Sequence, residues 1–141
     1  MKHNSLLIIF SLLLAVFTAS CGKADKSFDS ELCRSLSLKI ENHAPLDNND
    51  YAAMIDQNEA ILQYLVERTR EIAEMPDSLH ESEWRALSAD PEYLERFGYM
   101  FTIGSALHRA ELNNELSSKN ESAYASLDHY NQELIEYTDR F

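Results

Sequence analysis

A small all-α bundle of four to five helices, set behind a cleaved signal peptide, is the fold this sequence predicts. Three observations carry that reading. Between residues 29 and 141 apolar side chains recur every three or four positions in one segment after another, and no segment alternates with the period of two that a half-buried strand needs. Three Gly and three Pro are too few for a turn-rich β architecture. A chain of 141 residues that is 45% apolar can bury one core of its own and no more.

The first helix is expected from about Asp29 to Asn42, where Phe28, Leu32, Leu36 and Ile40 fall on one face at four-residue spacing; Pro45 closes it off. Asp47 is a suitable N-cap for the second, with Asp50 in the first turn where the helix dipole favours negative charge. Its stripe runs through Tyr51, Met54, Ile55, Ile61, Leu62, Leu65 and Ile72 to Met75, just before Pro76. Asn58 interrupts this stripe and reads as a boundary residue rather than a buried polar group. Asp77 or Ser78 is expected to cap a short third helix with Leu79, Trp84 and Leu87 as contacts and Glu81 paired with Arg85 at i,i+4. Asp90-Pro91 opens the fourth, because Pro at the first helical position lacks a donor where a donor would go unpaired anyway. Leu94, Phe97, Phe101, Leu107 and Leu112 are its expected core stripe, running toward Leu116, with Tyr93 and Met100 widening the face. After a break at 117–120, Tyr124, Leu127, Leu134, Tyr137 and Phe141 line a fifth.

Two glycines, Gly98 and Gly104, fall inside the fourth helix, each at a cost of ~1 kcal/mol relative to Ala. Close packing against a neighbouring helix is the expected compensation. With Phe97 and Phe101 they make the least charged, most aromatic stretch of the region after residue 20, which is expected to be core centre; the alternative is a pocket wall.

The first residues set a destination. Lys2 precedes an apolar run from Leu6 to Phe17 that is shorter than the ~20 residues needed to cross a bilayer, and small residues follow it, which marks residues 1–20 as an export signal. Its loss removes Lys2 and no acid, so the net charge of −12 becomes −13. Ala19-Ser20-Cys21 resembles the lipobox of bacterial lipoproteins, which places small residues before a Cys that is acylated before cleavage; Thr18 stands where Leu is usual, and an ending in Ser-Cys is similar to Bacteroidota lipoproteins. The resemblance covers about the first 23 residues and implies lipidation at Cys21, cleavage between Ser20 and Cys21, and anchoring in a bilayer. Residues 21–28 would then be lipidated Cys and tether, and 29–141 the single helical domain. Gly22 is not the Asp that retains enterobacterial lipoproteins in the inner membrane, and Lys23-Ala24-Asp25-Lys26 is not an acidic export run, so the resemblance implies the outer membrane, facing the periplasm. Ordinary secretion is the alternative. With Cys21 acylated, Cys33 is left alone and is expected to be a buried, inert thiol; with Cys21 free, the two could form a disulfide.

Twelve Lys and Arg against 24 Asp and Glu, at pI 4.7, exclude a nucleic-acid partner, since a phosphate backbone rewards the opposite charge. The acids are unevenly spread. From Ile40 to Val66 five acids meet no Lys or Arg, and from Glu111 to Asp139 seven acids meet Lys119 alone. If Asp47, Asp50, Asp56, Glu59, Glu111 and Glu115 adjoin, they form a face that would steer a basic protein partner. Serine-hydrolase, metalloprotease and phosphate-loop motifs do not occur, the spacings of His108 with Glu111 and His129 with Glu133 are too little for a metal site, and Asp47-Asn48-Asn49-Asp50 reads as a cap rather than a calcium loop. No catalytic residue, metal or cofactor is therefore assigned. The expected function is a non-enzymatic protein-binding or envelope-support lipoprotein. Two alternatives remain: an immunity lipoprotein neutralising a basic periplasmic toxin, and a small-ligand carrier or enzyme with a pocket near Gly98 and Gly104.

Overall fold

The computed structural model describes residues 26–141, which are helical throughout apart from short connections. The expected export signal 1–20, with the expected cleavage at Ser20, the expected acylation at Cys21 and the first part of the expected tether, lies outside the described residues. The helices are α1 (Ser30–Glu41), α2 (Asn48–Ala73), α3 (Asp77–Ser88), α4 (Pro91–Leu112), α5 (Ser118–Ala125) and α6 (Asp128–Thr138). The expected fifth helix is thus two, separated by a turn at Ser126 and Leu127, and it begins inside the expected break because the Ser117 hydroxyl caps the Asn120 N–H.

Local chemistry sets the other boundaries. Asp29, Asp47 and Asp90 each accept a backbone N–H from the first turn that follows, and Asp47 and Asp50 complete a reciprocal capping box. α3 departs from expectation: it starts at Asp77 behind Pro76 with no side-chain cap. α1 and α4 end alike. The His43 and Ala44 N–H groups bond back to Ile40 and Lys39, and the Asn114 and Glu115 N–H groups to Glu111 and Ala110, the paired bonds of a Schellman motif. The motif needs a left-handed residue, supplied here by His43 (φ 52°) and Asn114 (φ 55°) instead of Gly.

α2 is the axis of the bundle, and every other helix lies against it. α1 runs antiparallel to it, as the Cys33–Gln57 and Lys39–Asp50 contacts show, and so does α4, through Arg96 over Tyr64 at one end and Tyr51 bonded to Glu115 at the other. α6 runs parallel to α2: the Gln63 amide donates to the Tyr130 hydroxyl, and one heptad on Arg70 donates to the Tyr137 hydroxyl. Met54, Ile61, Leu62 and Leu65 of α2, Ile103 and Leu107 of α4, and Leu127 are the most deeply buried large side chains.

The folded domain begins before residue 29. The Gln57 side chain accepts the Asp29 N–H (2.8 Å) and the Cys33 thiol (3.4 Å) and donates to the Ser27 carbonyl (3.2 Å), which pins the end of the tether to the middle of α2. Phe28 lies under the Arg96 guanidinium, whose other neighbour is the Tyr64 ring, so one cation joins the tether, α2 and α4. Burial pushes the Cys33 thiol up to about 11, and the side chain is buried as expected.

Candidate functional site

The central surface feature follows from α4. Its buried face is Tyr93, Ile103, Ala106, Leu107 and Ala110. Of the stripe expected to be core, only Leu107 is buried; Leu94 (52% exposed), Phe97 (45%), Phe101 (70%) and Leu112 (67%) face outward. The sequence supports both faces, because α4 is apolar over more of its circumference than one stripe. Which face is core depends on where α2 and α1 pack.

α4 and α6 both lie on α2 but scarcely touch each other, and a groove runs between them. Asn58 and Leu62 of α2 form its floor; Met100, Phe101, Gly104, Ser105 and His108 form one wall, and Tyr124 and Asn131 the other. The inner part has a volume of about 310 Å³ and continues into a space of about 450 Å³ bounded by His108, Glu111, Leu127 and Asp128. Behind Phe101, Phe97 stacks on Tyr93, Tyr93 meets Trp84 of α3 edge-on, and Trp84 packs on Phe141 beyond α6. One end of the groove is therefore aromatic and the other acidic. Burial raises the Tyr124 phenol, with the Glu111 carboxylate adding to the shift.

Asn58 corrects its reading as a boundary residue. It is 5% exposed, and its Oδ1 has no hydrogen-bond partner among the described residues. The backbone of Gly104 lies over it, since a Cβ added there would stand 3.8 Å from that oxygen. Gly98 has no such neighbour: an added Cβ meets nothing within 4 Å, so close packing does not explain it. Phe101 and Gly104 come together at the groove, while Phe97 and Gly98 are outside its lining and none of the four is at the core centre.

The six acids expected on one face are distributed over three places. Asp47 and Asp50 sit together in the cap of α2, and Glu115 accepts the Tyr51 hydroxyl (3.0 Å) at an open cleft of about 640 Å³ lined by Ile40, His43, Tyr51, Arg109 and Glu115. Lys39 bonds to Asp50 at 2.7 Å and holds that carboxyl below the usual range. Burial and then Glu115 raise the Tyr51 phenol. Asp56 and Glu59 lie near Lys26, which pairs with Asp56 at 3.1 Å. Glu111 is alone of the six in lining the α4–α6 groove, where it joins Asp128. Asn120 is buried, and its amide donates to the Asn48 carbonyl.

Among the described residues no group of His, Cys, Asp and Glu is placed to hold a metal, and no helix is long and apolar enough to cross a membrane. Sequence reasoning missed Gln57, whose place in the apolar stripe of α2 was its one signal, and Asn131 of the groove wall, which carried none. Comparison with family models, with curated proteins and with solved structures gives no match to this chain.

Proposed function

We propose that the chain is a lipid-anchored, non-enzymatic protein-binding module of a bacterial envelope, held by acylated Cys21 to the outer membrane and facing the periplasm. The observation that carries binding is the uncovered face of α4, where Phe101 stands 70% exposed beside a groove. Apolar surface gathered in this way marks contact sites more often than isolated exposed residues do. The anchor rests on Ala19-Ser20-Cys21 behind an apolar run. A tether leaving the bundle where Gln57 fixes Ser27 would leave the groove free for a partner.

The test of the anchor is intact mass of the membrane-extracted protein beside a Cys21→Ala variant. The expected mass is that of residues 21–141 plus diacylglycerol and an acyl chain, lost in the variant. An unmodified chain beginning elsewhere overturns the anchor. The acids Glu111 and Asp128, which make no ion pair among the described residues, give the immunity reading its own support, since a basic active site would be covered by such a rim. Its test is co-expression with a cationic effector encoded beside this chain, where absence of protection ends it.

A further inference from the structure

We infer that the α4–α6 groove is the seat of a helix from a partner protein, amphipathic, with an apolar stripe for Phe101 and Met100 and a Lys or Arg for the acidic end. The inference rests on the protein-binding reading above and names the surface and the chemistry of its occupant.

Shape is the first argument. From Met100 to Glu111 is about three turns, or ~16 Å, of α4, and α6 runs antiparallel alongside it, so the space is a trough between two rods with a third as its floor. A helix laid in such a trough buries its own stripe at i, i+3, i+4 and i+7 spacing. Ile135, 61% exposed and one turn beyond Asn131 on the same side of α6, extends the wall available to it.

Charge is the second. Glu111 and Asp128 bound one end, and neither has a salt-bridge partner among the described residues. A second copy of this chain would bring the same unpaired rim acids and a strongly negative charge of its own, −12 over the full sequence, so charge disfavours a homodimer through this face. A cationic side chain from a different protein removes that repulsion.

The third is Asn58. A buried oxygen without a donor costs stability in the free protein, yet the position would accept Leu and extend the stripe of α2. The Asn58 Oδ1 is closed off from the groove by the backbone of Gly104, so the side chain shapes the floor that an occupant meets without bonding to it.

The experiment uses the mature lipidated chain in phosphatidylcholine nanodiscs, with empty nanodiscs as the blank, and two synthetic helical peptides about five turns long. One carries Leu on one face and Lys on the other; its counterpart carries Leu and Glu. Binding is read by anisotropy of the labelled peptide. The Leu/Lys peptide should bind and the Leu/Glu peptide should not. Phe101→Glu, at an exposed position that leaves the fold intact by circular dichroism, should weaken binding by about thirtyfold. Asn58→Leu should raise the melting temperature while weakening binding by about threefold to tenfold, a combination that a purely structural Asn does not give. Joint reversal by Glu111→Lys and Asp128→Lys should turn the preference to the Leu/Glu peptide, whereas Glu31→Lys with Glu74→Lys, an equal change of charge outside the groove, should not.

Binding that Phe101→Glu leaves unchanged, or that both double reversals weaken alike, overturns the groove while leaving a protein-binding module in place. No binding of either peptide overturns the inference. Intact mass on the same sample reports the anchor independently of both.

Discussion

Helices α2 and α4 are the longest of the bundle, lie against each other and are both rich in apolar residues, yet α2 is covered by every other helix while α4 presents a second apolar face to solvent. On α2 even polar side chains are drawn in: Gln57, Asn58 and Thr69 are buried, and Thr69 satisfies itself on the Leu65 carbonyl. On α4, Phe101 and Leu112 remain outside. The same residue types therefore do different things at two places a few ångströms apart. Periodicity reports which side chains share a face; arrival of another helix decides whether that face is core.

The sharpest way to break this comparison is to truncate both faces. Leu107→Ala on the inner face of α4 and Leu62→Ala on α2 should each lower stability by about 2–5 kcal/mol, because each leaves a cavity in a packed interior. Phe101→Ala removes a larger side chain and should stay within ~0.5 kcal/mol, since its ring is mostly in water already. Urea unfolding of the three variants decides the matter. A Phe101 variant as damaged as the Leu107 variant would place the outer face in the core.

The next effect concerns what the buried polar groups of α2 are for. Gln57→Leu leaves the Asp29 N–H and the Ser27 carbonyl without their partner and should cost about 1–3 kcal/mol. Hydrogen exchange at the Asp29 amide should accelerate more than at α4 amides, because the loss is local to the tether end. Uniform acceleration would show that Gln57 supports the whole bundle instead.

Much of the fold was legible because the signals were local. Asp47 and Asp90 announced two helix starts through short-range hydrogen bonds that depend only on the next three residues, while the start of α1 was read from apolar spacing and its Asp29 cap went unread. The ends were less legible: α1 and α4 stop on His43 and Asn114, which take a conformation that Gly would have advertised. The core face of α4 was misassigned because Leu94, Phe97 and Phe101 outweigh Ala106 and Ala110 in hydrophobicity, whereas close approach to α2 selects the small residues. The groove was invisible for the same reason. It exists where α4 and α6 fail to meet, and a gap between two helices leaves no periodic mark on either.

A smaller effect tests the N-terminal end of α2, where the charge is internally paired. Asp50→Ala removes one arm of the capping box and the bond from Lys39 and should cost ~1 kcal/mol near neutral pH. The folded-state carboxyl is held below its ordinary value, first by the Lys39 hydrogen bond, so its contribution is present above the unfolded carboxylate range and is lost as pH falls through the depressed value. The wild type and the variant should therefore converge in melting temperature in acid. A gap that persists in acid below both values would mean that Asp50 acts by packing rather than by charge.

The smallest expected effect separates the two glycines of α4. Gly98→Ala adds a methyl group that meets nothing, so only the helix preference changes and stability should rise by about 1 kcal/mol. Gly104→Ala gains the same preference, and its methyl group sits 3.8 Å from the Asn58 oxygen in ordinary contact, so it also folds. That oxygen is already out of water and without a donor, so the contact adds nothing and narrows the room left to the Asn58 side chain, which subtracts from the gain. Thermal unfolding should therefore rank Gly98→Ala above Gly104→Ala and both at or above the wild type. Peptide binding by the same two variants locates the occupant: if Gly98 is held for a backbone approach by a partner helix, its Ala variant loses Leu/Lys peptide binding while Gly104→Ala keeps it. Loss of binding in the Gly104 variant alone would put the occupant over Asn58.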